Sequence, residues 1–437
     1  MSRISTKSAF LEERLALLNE HYASERPKGN YFYHPLHIDC HSATPVVDGL
    51  EMLQFSSYSY LALLDHPQIR DAAQRAISEF GTGSHGARLL AGTTPLHQAL
   101  ETRISGFTGT EDAVVFSSGY VANIAVITTL ADRGRVVVSD MLNHASIVDG
   151  CVLSGAHHLR FRHNDMRSLE NCLRRAGAAG ALVVTDAVFS MDGDIADLPA
   201  ISKLCRRYGA ALMVDEAHSL GVLGKYGRGI EEHFGMDSGT IDIKMGTLSK
   251  AIPAVGGYIA GSRELVTALR HNSRPYIFSS ALPPVMAAAA LKSLEVIDNE
   301  PERVTKLQKN VEIYRQGLAA LGFNVLGEGT PIAPVICPSE EKTFEMTRGC
   351  IARGLLVLPI VFPAVRRKTP RLRTIVTAAH AQEHIQRALS ILEETGLATG
   401  VLSRSPQRRN SRESADRSEV QGGNSTKGKT QGKRKES

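Results

Sequence analysis

The chain has 437 residues with 43% hydrophobic side chains, and its 50 Lys and Arg exceed its 45 Asp and Glu, which gives a formal charge of +5. This length predicts one large core with a smaller packed domain. Ten of the basic and four of the acidic side chains lie in residues 403–437, so the rest of the chain is almost neutral. The charge therefore gives no support to a nucleic-acid partner.

The sequence has no pattern typical of export or membrane insertion. No apolar run approaches the roughly 20 residues that span a bilayer. The first residues, MSRISTKSAF, lack the apolar stretch of a secretory signal. Six cysteines occur without a C-x-x-C pair, which favours reduced thiols over disulfides or a zinc site. We expect a cytoplasmic protein without a bound metal.

In chain order, the predicted parts are an N-terminal segment, a large domain, a small C-terminal domain and a tail, with bounds 1–55, 56–300, 301–398 and 403–437. In the large domain, Pro67–Phe80 and residues 95–107 are predicted helices that begin with proline. Short apolar runs then alternate with helical patterns, at residues 114–117, 136–139, 182–185, 212–215, 243–247 and 257–260. This rhythm predicts an α/β fold with a mostly parallel sheet and helices on both faces.

The last third of the chain predicts helices, a small α/β unit and a tail. A helical stretch after Pro283 is interrupted near residues 299–301 and ends near Leu321, and the α/β unit covers residues 323–396. The tail has one Val and no other large apolar residue, so we expect it to be disordered. Docking of the tail to a partner or to an anionic surface is the alternative.

Small and polar residues follow the first predicted strands, at the sheet edge where α/β proteins bind ligands. Ser118, Gly119 and Tyr120 lie at a strand-to-helix junction, and the free N–H groups of a helix start suit a phosphate. His144 follows the next strand. Its imidazole either stacks on a bound ring or serves as an ordinary capping or core residue.

Carboxylates and a second histidine follow the next two strands. Asp186 and Ser190 come after one of them, and Asp215 ends the other with His218 three residues later. A carboxylate at this edge can pair with a protonated pyridine nitrogen, and His218 could then reach the phenolic oxygen of the same ring. The alternative for this pair is a turn-capping carboxylate with an ordinary histidine.

The segment KMGTLSKAIPAVGGYIAG places Lys250 after an apolar strand that contains Thr247 and Ser249 near its end. A lysine in this setting can form a Schiff base, while nearby hydroxyl and N–H groups hold a phosphate. On its own the segment fits an exposed lysine somewhat better than a cofactor lysine. Because Asp215 and Lys250 end separate strands with one α-β excursion between them, we expect both side chains at one edge of the sheet.

A family resemblance is carried by five segments taken together: NHASIVDG, VFSMDGD, VDEAHSLGVLG, GTLSK and TAAH. Over about residues 55–392 the chain resembles the α-oxoamine synthases. These are fold-type-I enzymes that use pyridoxal 5′-phosphate (PLP). The resemblance implies that an amino acid and an acyl thioester condense with loss of carbon dioxide to give an α-amino ketone. It implies a homodimer with shared active sites, and a thioester carried by coenzyme A or by an acyl-carrier protein.

The resemblance also implies a role for each candidate residue. Lys250 would bind PLP covalently, Asp215 would pair with the pyridine nitrogen, His218 would contact the phenolic oxygen, and His144 would stack on the ring. Phosphate contacts are implied for several residues, the last of them from the other subunit: Ser118, Gly119, Tyr120, Thr247 and Ser280.

The substrate side of the site departs from the family pattern. Arg373 matches the arginine that binds the substrate carboxylate, and we expect Arg371, two residues earlier on the strand, to point to the opposite face. The family's N-x-Y-L-G motif is YSYLA here, so Tyr58 replaces an asparagine near that carboxylate. Residues 366–368 are Arg, Arg and Lys where many relatives have a glycine-containing turn. These cations either meet the phosphates of the thioester or face water.

Two other classes of function share part of this pattern. An aminotransferase or an aldolase-like lyase of the same fold would keep Lys250 and Asp215 but would lack the VFSMDGD and TAAH segments together. A non-catalytic regulatory subunit would typically lack the lysine, which is present. The identity of the amino acid, among glycine, alanine and serine, stays open at this point.

Overall fold

The structure is a computed structural model that describes residues 8–39, 42–177 and 180–403. The predicted disordered tail, apart from Ser403, lies outside these residues. Among the residues described, no helix is both long and apolar enough to cross a bilayer.

The helices begin, in most cases, after a capping side chain or at a proline, which is how helix starts are usually satisfied. They are Ala9–Glu25 (α1), Pro67–Phe80 (α2), Pro95–Thr108 (α3), Gly119–Leu130 (α4), Ala145–Ser154 (α5), Met166–Ala176 (α6), Leu198–Tyr208 (α7), Ile230–His233 (α8), Arg263–Asn272 (α9), Arg274–Ile277 (α10), Pro284–Asn299 (α11), Glu302–Leu321 (α12), Glu340–Ala352 (α13) and Gln382–Thr399 (α14).

The strands of the large sheet are short and almost completely buried, which suits the Val- and Ile-rich runs in the sequence. All strands of the described residues are Val46–Val47 (β1), Leu50–Glu51 (β2), Leu53–Gln54 (β3), Asp112–Phe116 (β4), Val136–Asp140 (β5), His157–Phe161 (β6), Ala181–Asp186 (β7), Ala211–Asp215 (β8), Ile243–Ser249 (β9), Pro253–Gly261 (β10), Ile332–Ile336 (β11), Leu355–Leu356 (β12), Leu358–Ile360 (β13) and Arg371–Ile375 (β14).

The large sheet has seven strands in the order β4-β10-β9-β8-β7-β5-β6. Strands β9, β8, β7, β5 and β6 run parallel, while β10 is antiparallel to both of its neighbours. The predicted α/β fold with a mostly parallel sheet is confirmed. Because β7, β8 and β9 are parallel neighbours, their carboxyl ends lie side by side, and these ends carry Asp186, Asp215 and Lys250.

A second, smaller sheet joins β11, β14 and β13 in antiparallel order near the C-terminus. The N-terminal segment is tied to this region, because β3 pairs in parallel with β12. Val47 and Met52 form a small apolar cluster with Leu356. This packing holds the start of the YSYLA segment between the two sheets, since Ile375 donates a backbone hydrogen bond to Phe55.

Candidate active site

Lys250 begins a chain of buried polar contacts at the end of β9. Its Nζ lies 2.7 Å from Nε2 of His218, and Nδ1 of the same imidazole lies 2.7 Å from the hydroxyl of Tyr60. Tyr60 is fully buried and comes from the YSYLA segment. The amine, the imidazole and the phenol therefore share a continuous hydrogen-bonded path from the sheet edge into the core.

The electrostatic setting of Lys250 favours a reactive amine. Burial lowers the pKa of Lys250 to about 8 and Arg373 adds to the effect, although Asp215 and Asp186 oppose it. Burial, together with the charges of Lys250 and Arg373, also lowers the pKa of His218 well below its ordinary value. His218 is therefore neutral, and it can accept a hydrogen bond from the amine while donating one to Tyr60.

Two aspartates lie side by side at this edge, because Asp186 and Asp215 are register partners on β7 and β8. Burial raises the pKa of Asp186 well above its ordinary value, and the charge of Asp215 raises it further. Asp215 accepts hydrogen bonds from Nδ2 of Asn123 at 2.8 Å and from the backbone N–H of Ala217 at 2.9 Å. The charged form of Asp186 is thus disfavoured, whereas the two donors at Asp215 are placed to hold a carboxylate.

His144 is the N-cap of α5 and is hydrogen-bonded to one of the two aspartates. Its backbone N–H donates to Asp186 at 3.2 Å, and its Nδ1 lies 2.7 Å from Oγ of Ser146. The same Oγ accepts a hydrogen bond from Nδ2 of Asn123 at 2.9 Å. Asn123 therefore bridges His144 and Asp215, a role that no sequence motif indicated.

The start of α4 forms a close-packed cradle against β9 and β10. Ser118 caps the helix by accepting the N–H of Val121 at 3.2 Å. A Cβ on Gly119 would lie 3.1 Å from Oγ1 of Thr247, and one on Gly257 would lie 2.5 Å from Cα of Gly119. Only glycine fits at Gly257 and a side chain at Gly119 would be tight, so the free N–H groups of the helix start and the Thr247 hydroxyl lie close together.

Tyr120 is an exposed member of the predicted phosphate contacts. Its hydroxyl donates a hydrogen bond to Asp149, and its ring lies 6.2 Å from the imidazole of His144 at an angle of 80°. Ser190 is half-buried and Ser280 is exposed. In the described part of the chain no side-chain hydrogen bond joins either serine to the pocket, and Ser280 forms only a backbone bridge with Ala87.

Arg373 and Tyr58 form the substrate side of the pocket. The guanidinium carbon of Arg373 lies 5.0 Å from the centre of the Tyr58 ring, and Nζ of Lys250 lies 5.6 Å from the same ring. Arg373 donates to Sδ of Met191 at 3.9 Å, but within the described ranges no carboxylate lies in ion-pair distance of it. A guanidinium without a carboxylate partner among the described residues suits a bidentate carboxylate ligand.

The expectation that Arg371 points away from Arg373 is wrong. Alternate residues of a strand share one face of the sheet. Accordingly, both side chains reach the segment after β7, where Nη1 of Arg371 donates to Asp192 and to the carbonyl of Met191, each at 2.9 Å. The difference between them is one of partners, because Arg371 is paired with Asp192 and is almost fully buried.

The segment that the two arginines contact, residues 187–196, is fixed to the large domain by an ionic clamp. His163 lies between two carboxylates, with Nδ1 3.1 Å from Asp140 and Nε2 2.7 Å from Asp194. Burial alone would lower the pKa of His163, but the hydrogen bonds to these carboxylates outweigh it and raise the pKa to about 10. We call residues 187–196 the hairpin; His163 holds it as an imidazolium.

The small domain holds the opposite side of the hairpin. Oγ1 of Thr330 donates to the carbonyl of Gly193 at 2.6 Å. A Cβ on Gly193, which has φ +73°, would lie 2.3 Å from the carbonyl oxygen of Ile332. The hairpin is therefore packed between the two sheets, and it positions Met191 against Arg373.

The residues brought together fit PLP in each of its chemical parts. A lysine with a lowered pKa suits the aldehyde, the Asp215 carboxylate suits a protonated pyridine nitrogen, and the neutral His218 suits the phenolic oxygen. The Gly119 cradle at the start of α4 suits the phosphate. This fold and this set of side chains define the site of a fold-type-I PLP enzyme.

Comparison with known proteins agrees with this class and narrows it. The family described as aminotransferase class I and II matches residues 51–392. The 8-amino-7-oxononanoate synthase of Thermoanaerobacter pseudethanolicus is 42% identical over 359 residues, which cover 82% of this chain and 91% of that protein. The synthase of the same name from Geobacter sulfurreducens is 44% identical over 360 residues, 82% of this chain and 92% of that protein.

Solved structures give the same result. The serine palmitoyltransferase of Sphingomonas wittichii superposes with a TM-score of 0.87 at 34% identity, over 91% of this chain and all of that one. An SPT structure solved with PLP has the same values. The 8-amino-7-oxononanoate synthase of Francisella tularensis has a TM-score of 0.69 at 27% identity, over 78% of this chain and 97% of that one.

The chain belongs to the aminotransferase class I and II family and, within it, to the α-oxoamine synthases. It is a PLP-dependent acyltransferase that condenses an amino acid with an acyl thioester and releases carbon dioxide. The predicted family, enzyme class and cofactor are confirmed. The relatives described above are named as 8-amino-7-oxononanoate synthases or serine palmitoyltransferases, and none of them is named as an aminotransferase. The alternative that this chain is an aminotransferase therefore loses its support.

Proposed function

We propose that the residues at the carboxyl ends of β7, β8 and β9 bind PLP and a small amino acid in one pocket. Lys250 binds the cofactor, Asp215 pairs with its pyridine nitrogen and His218 with its phenolic oxygen. When bound, PLP withdraws electrons from the substrate Cα and so allows its bonds to hydrogen and to the carboxylate to break. The observation that carries this proposal is the contact of Lys250 with His218 near the Asp215 carboxyl group.

The phosphate of PLP is held at the start of α4. The N–H groups of the first turn, the hydroxyls of Ser118 and Thr247 and the close approach at Gly119 support this position. Tyr120 closes the outer side of this cradle. His144 covers the ring from the position fixed by Ser146, and Ser190 lies on the hairpin beside the pocket.

Proton movement in the pocket depends on Lys250. With the cofactor bound, the Lys250 amine would accept the proton from Cα of the substrate, and its pKa of about 8 suits this role at neutral pH. Its hydrogen bond to His218 orients the amine, and Tyr60 orients His218 in turn.

The amino acid is bound through its carboxylate and limited by an aromatic wall. Arg373 binds the carboxylate and thereby orients the Cα bonds. Tyr58 packs beside both Arg373 and Lys250, where it restricts the space for a side chain. This wall favours glycine, alanine or serine, and the acyl partner is a thioester, as in the reactions that give the named relatives their names.

A single set of assays tests the proposed reaction. Borohydride reduction of the holoenzyme, followed by peptide mapping, should place the reduced cofactor on Lys250. The absorption spectrum should shift with at least one of glycine, alanine and serine, and that amino acid should cause thiol release from an acyl thioester. Reduction at another lysine, or amino-group exchange with an oxo acid in place of thiol release, would contradict the proposal.

We also propose that the active form is a homodimer in which Ser280 completes the phosphate site of the partner. Large apolar side chains close to this serine are exposed in the single chain, with Leu90 83%, Phe278 75% and Val255 52% accessible. Exposed apolar patches of this kind are typical of subunit contacts. Analytical ultracentrifugation over a dilution series should show dimers, and folded monomers with full PLP affinity would contradict the assignment of Ser280.

A cytoplasmic location completes the proposal. The described cysteines, at positions 151, 172, 205, 337 and 350, are all buried as free thiols. Burial raises the pKa of Cys151, Cys205 and Cys350 to about 12, so these thiols are unreactive at neutral pH. This chemistry suits a reducing compartment.

A further inference from the structure

A group of exposed cations lies beside the loop that leads to His144. We call Arg160, Arg366, Arg367 and Lys368 the basic rim. Nη2 of Arg160 donates to the carbonyl of Met141 at 2.8 Å, and Nη2 of Arg366 lies 4.0 Å from Sδ of the same methionine. One cation from the large domain and one from the small domain therefore meet at a single residue.

The positive charges of the basic rim are not paired with carboxylates of the described residues. In the ranges that the structure describes, no carboxylate lies within ion-pair distance of any of the four cations. Arg367 packs on the exposed ring of Phe362 at 3.9 Å, which fixes the guanidinium without neutralising it. Because the chain outside the tail is almost neutral, four unpaired cations together are a local excess of positive charge.

The position of the rim relates it to the reaction. Met141 precedes His144 by three residues, so their Cα atoms are separated by at most roughly 11 Å. Met141 is also held in place by β6, because its backbone N–H donates to the carbonyl of Phe161 at 3.1 Å. Through Arg160 and Arg366 the rim thus contacts the same short loop that carries the imidazole of His144.

We propose that the basic rim binds the phosphate end of a phosphopantetheine thioester while the acyl group reacts beside Lys250. This inference rests on the proposed function, which requires an acyl thioester in the same pocket. Phosphopantetheine thioesters carry their phosphate at the end away from the sulfur, so this phosphate would lie outside the pocket, where the rim is. The three guanidinium groups and the one ammonium of the rim suit phosphate oxygens. Coenzyme A and a carrier protein share this phosphate chemistry.

The test compares donors that share one acyl chain and differ in phosphate content. Acyl-CoA, an acylated phosphopantetheinyl carrier protein and acyl-pantetheine without phosphate are used with wild type and with the triple variant R366Q/R367Q/K368Q. At low salt, the variant should lower kcat/KM for a phosphate-bearing donor by about tenfold, since each exposed ion pair contributes up to about fivefold. The value for acyl-pantetheine should stay within about twofold, because it offers no ion pair to lose.

A charge-matched control is the variant K203Q/K306Q/K309Q, which removes three exposed lysines distant in sequence from the rim. It should leave kcat/KM for every donor within about twofold. Added salt should reduce the wild-type value for phosphate-bearing donors and leave that of the rim variant nearly constant. A loss for acyl-CoA alone identifies coenzyme A as the donor, and a loss for the carrier protein alone identifies the carrier.

Other outcomes overturn the proposal. Equal losses in the two triple variants, or an equal loss with acyl-pantetheine, would show that the rim does not bind phosphate. Calorimetric titration of free coenzyme A into holoenzyme measures the same site without turnover, and its dissociation constant should rise in the rim variant alone. If the wild type released thiol from no donor, the proposed function would fail, while the titration would still decide the role of the rim.

Discussion

The two sides of the pocket differ in how far their polar groups are already satisfied. On the large-domain side, Asp215 accepts two hydrogen bonds and Asp186 accepts one from His144, and both carboxyl groups are buried. On the other side, Arg373 is half-buried and has a ring and a sulfur atom as its neighbours. The first side has the character of a fixed cofactor site, and the second keeps charge available for a substrate.

The largest expected effect tests the fixed side. Asp215→Asn should lower turnover at least tenfold, because a neutral amide no longer holds the pyridine nitrogen protonated. A charge-assisted hydrogen bond contributes about 1.5–3 kcal/mol, and about 1.4 kcal/mol corresponds to a factor of ten in rate. Steady-state kinetics at saturating PLP, with circular dichroism as the check of folding, measures this change.

Asp186→Asn is the matched control, since the two residues are register partners with similar burial. The raised pKa of Asp186 disfavours its charged form, and an asparagine can still accept the N–H of His144. Its turnover should fall clearly less than that of Asp215→Asn. Equal losses would show that the negative charge is shared between the two carboxyl groups.

An intermediate effect is expected on the substrate side. Arg373→Lys keeps the charge but loses the paired donors, so the dissociation constant of the amino acid should rise about tenfold, the equivalent of one charge-assisted hydrogen bond. The absorption spectrum of the resting enzyme should not change. Spectral titration with the amino acid gives the constant directly.

Arg371→Lys separates carboxylate binding from packing. Because Arg371 is paired with Asp192 and holds the hairpin, its replacement should lower the melting temperature and change the amino-acid constant by less than Arg373→Lys does. The reverse order of effects on the amino-acid constant would exclude Arg373 as the carboxylate ligand.

Most of the large sheet could be predicted because its buried strands are continuous apolar runs, such as Val136–Asp140 and Ala181–Asp186. Strand β6 was not predicted. It is one of the two edge strands, its sequence is HHLRF, and only alternate residues are buried, so it lacks the continuous apolar run of the other strands. An edge strand with one open side accepts His and Arg, and the apolar signal is lost.

The site could be predicted where a residue directly follows a strand, as Asp215 and Lys250 do. Asn123, Tyr60 and His163 were not predicted, because each acts through a partner distant in the sequence. The mutual contacts of Asn123 with Asp215, for example, join residues 92 positions apart. The left-handed conformation of Ala62, φ +56°, occurs where the family motif has glycine, and no sequence pattern showed that this chain keeps the turn with an alanine.

The smallest effect on catalysis is expected from His163, which links the two sides without touching either substrate. His163→Gln removes the cation between Asp140 and Asp194, so the hairpin should loosen and the amino-acid constant should rise by about threefold or less, as for one weak contact. Turnover at saturating amino acid should stay near wild type. A large fall in turnover with an unchanged amino-acid constant would show that His163 acts on the cofactor side.

The pH dependence of stability gives a readout that a merely structural loss would not reproduce. The pKa of His163 is raised to about 10 in the folded chain, while an unfolded histidine titrates near about 6.5. Protonated His163 therefore stabilises the fold fully below the unfolded pKa, and this stabilisation is lost as the pH rises through about 10. The difference in melting temperature between wild type and His163→Gln should accordingly be largest below pH of about 6.5 and should shrink towards pH of about 10.

Differential scanning calorimetry across this range measures this difference. Because both proteins share all other titrating groups, the contributions of those groups cancel in the difference. A difference that stayed constant with pH would mean that a neutral His163 fills the clamp as well as an imidazolium does, and the ionic account of the hairpin would have to be withdrawn.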